Sequence, residues 1–162
     1  MITSFRIANK KFAQTAFNGD GARQYGGRWN PVGFATVYTA ESLSLAVLEI
    51  LVHLEDEALL FQRFIKIPVT FDPALVQTLP NKSLPDDWDN LPIPESTQKI
   101  GKKWIQKGEY AILKVPSTII KEEYNYLINP LHPDVSHLKI GPPQQFDFDH
   151  RLAKRLYSNQ NF

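Results

Sequence analysis

The sequence predicts an α+β domain, on three observations. Two segments carry helical patterning, one capped by Ser42 and running to about Leu54, the other from Glu95 to Lys107. Runs of β-branched and aromatic residues precede, separate and follow them, and these runs do not alternate with helices in a regular βαβ rhythm. Such an arrangement favours a mixed, twisted sheet with flanking helices over a doubly wound one. The 162 residues are 43% apolar and 12% aromatic, enough for one compact domain spanning 1–162. A chain of this size buries roughly 70% of its unfolded surface.

The first readable segment, Asn18 to Asn30, holds Gly19, Gly21, Gly26 and Gly27 among polar and aromatic residues and predicts a loop with positive backbone angles. Thr36-Val-Tyr-Thr39 is a short strand, after which Ser42 caps a helix. That helix is apolar nearly all round, which predicts a deep position, and Glu49 stands in its middle. Phe61 to Phe71 alternates as a strand, with Pro68 pointing to an edge or an early end. The Pro- and Asp-rich stretch from Pro80 to Pro94 reads as an ordered excursion anchored by Trp88.

Glu95 to Lys107 is amphipathic, with Ile100, Trp104 and Ile105 inward and Lys99, Lys102, Lys103 and Lys107 forming a solvated face. Tyr110 to Val115 and Tyr124 to Asn129 are strands, and His137 to Gly141 is a last short one. In the second of these, Tyr124 and Tyr126 share one side while Asn125 and Asn129 share the other.

Composition removes several function classes. A net charge of +1 argues against a general nucleic-acid coat, which needs a large basic excess. The absence of cysteine excludes disulfides, thiolate nucleophiles and Cys-ligated zinc. His53, His132, His137 and His150 are scattered without the spacing of a zinc site, so no metal site is expected. Apolar runs are too short to span a bilayer, and the start of the chain lacks a secretory apolar region. A cytoplasmic location is therefore expected, and the sequon at Asn81 is a chance match.

Four positions stand out chemically. In Gly26-Gly27-Arg28-Trp29-Asn30, the glycines permit close approach of the backbone and the guanidinium suits a phosphate or pyrophosphate. Read alone, the segment is more simply a glycine-rich turn with an exposed arginine and a core tryptophan. Glu49 carries a desolvation cost inside an apolar helix unless a partner, a route to the surface or a function keeps it there. Tyr38 lies at the end of the preceding strand, where it either faces the same cleft or hydrogen-bonds to the core. Ser117, beside Pro116, is by itself an ordinary turn residue with no identifiable base.

In order along the chain, Gly21-Ala-Arg23, Gly26-Gly-Arg-Trp-Asn-Pro31, Val37-Tyr-Thr-Ala40, Ala46-Val-Leu-Glu49 and His53 are followed by Val115-Pro-Ser117, Asn125, Asn129-Pro130, Pro133 and Phe148-Asp-His-Arg-Leu152. Together they resemble the RES domain family, the toxin halves of bacterial type II toxin–antitoxin pairs, over nearly the whole chain. One departure is His150, where the family often has proline.

The resemblance implies an ADP-ribosyltransferase-like fold that binds NAD, as substrate and not cofactor, and breaks its nicotinamide–ribose bond. It assigns catalytic roles to Arg28, Tyr38 and Glu49, and substrate binding to Ser117, Trp29, Asn30 and Asn125. In that reading Glu49 stabilises an oxocarbenium-like ribose, Arg28 clamps the pyrophosphate and Tyr38 orients the ribose. NAD depletion and growth arrest are the expected outcome, by hydrolysis or phosphorolysis. Protein ADP-ribosylation is the nearest rival, a silent nucleotide-binding module a second, and a nucleic-acid-cleaving toxin a third that the charge balance disfavours. The implied partner is an Xre-type helix-turn-helix antitoxin covering the site entrance, with no direct nucleic-acid or membrane binding by this chain.

Overall fold

A computed structural model describes residues 1–54, 61–149 and 151–152. His150, the departure from the family pattern, lies outside the described residues. Strands β1 (Ile2–Asn9), β2 (Val37–Ala40), β3 (Phe64–Phe71), β4 (Val76–Thr78), β5 (Ile112–Pro116), β6 (Tyr124–Ile128), β7 (Lys139–Ile140) and β8 (Gln144–Phe146) form one sheet. The order is β4-β5-β6-β2-β1-β3-β7, with β8 also on β3. Among the described residues only β4 and β5 run parallel, so the sheet is mixed and the α+β class holds.

Helices α1 (Asp20–Tyr25), α2 (Leu43–His53) and α3 (Glu95–Lys107) accompany it. α2 starts where the sequence implies, because the Ser42 hydroxyl accepts from the Leu45 amide at 3.0 Å. α3 ends at Gly108, whose φ of 61° closes the last turn through its amide to the Trp104 carbonyl.

Both faces of the sheet are covered, and strand alternation sorts the residues between them. Ile112, Tyr126 and Ile128 join one core cluster with Val37, Val69 and Phe71. Leu113, Val115 and Leu127 join another with Trp29, Leu79 and the α3 residue Trp104. Trp88 packs against this second cluster, so it does anchor the excursion from Pro80 to Pro94. A third cluster seats α2 on the sheet through Leu45, Ala46, Ile7, Ala40 and Phe64.

Several sequence expectations need correction. β1 was not anticipated, although Phe5 and Ile7 flank Arg6 in strand alternation, and it lies inside the sheet between β2 and β3. The glycine-rich stretch is not all loop, since α1 forms within it between Gly19 and Gly26, both at positive φ. α2 is not deep: Leu45 and Ala46 are its buried residues and Val52 is 60% exposed, because one face packs on the sheet and another borders a cavity.

Pro68 neither ends β3 nor marks a sheet edge. β8 pairs with Phe64–Lys66 and β7 with Val69–Thr70, and Pro68 falls in the gap between them. Its carbonyl there accepts from the Gly141 amide at 2.8 Å, and its missing N–H interrupts no strand pairing on that side. β3 also begins at Phe64 rather than Phe61.

Candidate active site

Arg28, Tyr38, Glu49 and Asn125 line one cavity of about 680 Å³, a volume in the usual range for small-molecule sites. Each is delivered by a different part of the fold: the turn after α1, β2, α2 and β6 respectively.

The arginine turn is held from behind by close approaches of backbone. A Cβ on Gly101 of α3 would lie 1.5 Å from the Trp29 carbonyl oxygen, so the helix backbone packs directly on the turn. A Cβ on Gly27 would lie 2.6 Å from the Tyr38 hydroxyl, so glycine is required for the turn to sit on that ring. The Tyr38 hydroxyl accepts from the Trp29 amide at 3.1 Å and donates to Asn30 Oδ1 at 2.6 Å. Asn30 is fully buried, and its amide nitrogen donates to the carbonyls of Ala22 at 2.8 Å and Phe34 at 3.0 Å.

These bonds place the named residues unequally. Asn30 is a buried brace that ties α1, the turn and Tyr38 together, and Trp29 is 3% exposed in the core while its residue borders the cavity. Tyr38 lines the cavity, with its hydroxyl engaged on both sides. Burial pushes the phenol's pKa well up, which keeps it protonated and able to donate to Asn30.

Arg28 Nη1 donates to the carbonyls of Trp88 at 2.9 Å and Asn90 at 3.0 Å. Among the described residues no acceptor bonds to its Nε or Nη2, which leaves one edge of the fork for a ligand. Burial lowers its pKa, and the nearby charges of Asp89 and Glu49 oppose that and favour the cation.

On the opposite wall, Glu49 Oε1 accepts from Ser117 Oγ at 3.0 Å and from Asn125 Nδ2 at 2.7 Å. Oε2 has no donor among the described residues, so the carboxylate is oriented through one oxygen with the other open. Ser117 is fully buried and does not line the cavity. Its hydroxyl accepts from the amides of Ile119 and Ile120 while donating to Glu49, which suits it to hold the carboxylate and not to act as a nucleophile. Asn125 Oδ1 is buried with no partner among the described residues.

Sequence reasoning missed Arg6. It lines the same cavity, and its Nη1 donates to the Tyr38 carbonyl at 2.9 Å where β1 and β2, sharing the single pair Phe5 and Ala40, have stopped pairing. Its Nε is buried with no partner among the described residues, and no described carboxylate is ion-paired with it. Burial lowers its pKa to about 10. His53 also borders the cavity, one helical turn beyond Glu49. No group of three or more metal-ligating side chains occurs among the described residues.

The chain is similar to known proteins in sequence and in fold. The RES domain model matches residues 3–149. A protein called Toxin Res from Photorhabdus laumondii is 39% identical over 153 residues, covering 93% of this chain and 96% of that protein. The Prs ADP-ribosylating toxin of Sphingobium sp. is 38% identical over 161 residues, covering 96% of this chain and 99% of its own. In fold, the chain is similar to one in the crystal structure of the M. tuberculosis MbcT–MbcA toxin–antitoxin complex. The TM-score is 0.72 over 98% of this chain and 90% of that one, at 22% identity. On sequence across nearly its full length, this chain belongs to the RES domain family.

Proposed function

We propose that the chain is the toxin of a toxin–antitoxin pair, and that it takes NAD as substrate and breaks the nicotinamide–ribose bond. The observation that carries this reading is a carboxylate oriented through one oxygen, lining the same cavity as two arginines that have no ion-paired carboxylate among the described residues. A dinucleotide has matching parts: a pyrophosphate for guanidinium donors and a ribose for the carboxylate.

In the reaction, the ribose C1′–N bond breaks and its electron pair returns to the nicotinamide ring, which leaves neutral. Glu49 Oε2 stabilises the positive charge that develops on the ribose, as a carboxylate does in glycoside cleavage. Ser117 and Asn125 keep that oxygen aimed, so little reorganisation is required as the charge forms. Arg28 and Arg6 hold the phosphates, and the Tyr38 ring forms the wall beside the ribose. The acceptor then bonds to C1′ and gives up its proton: water yields ADP-ribose, and inorganic phosphate yields its 1-phosphate.

A second reading, transfer to a protein side chain, is favoured by likeness to the Prs ADP-ribosylating toxin of Sphingobium sp.. The partner in either reading is an antitoxin of the helix-turn-helix class, acting in the cytoplasm. The test is to incubate purified chain with NAD, with and without phosphate and a candidate acceptor protein, beside Arg28→Ala and Glu49→Ala. Free nicotinamide with equimolar ADP-ribose or its phosphate supports depletion, whereas label on protein supports transfer. NAD left equally intact by wild type and both variants overturns the enzymatic reading.

A further inference from the structure

Residues 85–93 form a strap beside the cavity, and Leu91 and Ile93 line it. Its Trp88 and Asn90 carbonyls accept both bonds from Arg28 Nη1, and Asp89, between them, is ion-paired with Lys121. Lys121 Nζ also lies 5.8 Å from the centre of the Trp88 ring. The lysine belongs to the opposite wall, in the loop whose Ile119 and Ile120 amides donate to the Ser117 hydroxyl that holds Glu49. One side-chain pair therefore joins the backbone seating Arg28 to the loop seating Glu49.

We infer that Asp89 and Lys121 form a clasp across the cavity mouth that positions Arg28 relative to Glu49, without touching the substrate themselves. This rests on the NAD-cleaving reading for its kinetic readout. Trp88 is packed on the core, but Asn90 to Ile93 are exposed, with Leu91 81% exposed, so burial does little to fix that half of the strap. The clasp supplies the missing constraint. With the Lys121 side chain 59% and the Asp89 side chain 29% exposed, the pair contributes little to global stability and is open to screening by salt. Its effect falls on where the strap carbonyls sit, and so on the direction of the free edge of Arg28.

The test compares Asp89→Lys, Lys121→Asp and the charge-swapped double variant with wild type at low ionic strength. Each single change is expected to raise the KM for NAD about fivefold with kcat within about twofold, because Arg28 grips the substrate equally before and during bond cleavage. Hydrogen exchange at the Trp88 and Asn90 amides, which bond to the Pro85 and Asp87 carbonyls, should quicken in both single variants. The swapped pair should restore both readouts. A double variant as impaired as the product of the singles, or single variants that alter neither KM nor exchange, overturns the clasp. If wild type leaves NAD untouched, the cleavage reading falls by itself, and exchange at the two strap amides still decides the clasp.

Discussion

The two walls of the cavity are built by different means. Behind Arg28 stand a helix backbone pressed against Trp29, a fully buried asparagine and a cluster of tryptophans, so that wall is held by shape. Glu49 stands on a helix whose residues are mostly half-buried, and two side-chain donors, Ser117 after β5 and Asn125 on β6, hold it, so that wall is held by a few directed bonds. The contrast separates what folding requires from what chemistry requires. Damage to the first wall should appear mainly as instability, and damage to the second mainly as lost turnover in a folded protein.

The sharpest probe of the contrast is Glu49→Gln, which keeps an oxygen for Ser117 and Asn125 to bond and removes only the charge. NAD turnover should fall about 100- to 1,000-fold, with little change in melting temperature. Equal losses of turnover and stability would erase the distinction between the walls. On the other wall, Gly101→Ala forces a methyl into the Trp29 carbonyl and should destabilise by about 3 kcal/mol, read as a drop in Tm of roughly 6–12 °C.

Arg6 lies between these extremes. Burial lowers its pKa from the ordinary arginine value to about 10, so the folded chain holds this proton less tightly than the unfolded chain does. Below about pH 10 the buried charge therefore opposes folding, and the opposition fades as pH climbs from there toward the ordinary arginine value. Arg6→Gln should leave the neutral-pH Tm unchanged or higher while raising the KM for NAD about tenfold. A Tm well below wild type would assign the arginine to the scaffold. The smallest effect belongs to Tyr38→Phe, which deprives the Trp29 amide and Asn30 Oδ1 of a partner but keeps the ring. A cost of about 1 kcal/mol is expected, with turnover reduced only modestly.

Local features were the most legible in the sequence. The Ser42 cap, the amphipathic pattern of α3 and the alternation in β5 and β6 each depend on neighbours within a turn or a strand. Arg28, Tyr38 and Glu49 were grouped through family resemblance, and no residue spacing by itself places them in one cavity. Arg6 was invisible because its importance depends on β1 lying next to β2, a pairing that no local pattern announces. For Asn30 and Ser117 the residue was noticed and its job was not, since a buried brace and a cavity lining use the same polar side chains. The depth of α2 was misjudged because an apolar surface bordering a cavity looks, in sequence, like one buried in a core.

Glu49 precedes its two donors along the chain by 68 and 76 residues. During synthesis the acid therefore emerges long before the groups that aim it, and β6 must pair with β2 before Asn125 can reach it. A ribosome halted short of Ser117 would release a fragment carrying both Arg28 and Glu49 but lacking the parts that turn them into a working pair. On the NAD-cleaving reading, activity would thus begin only once the chain through Asn125 has been made and β6 has paired with β2.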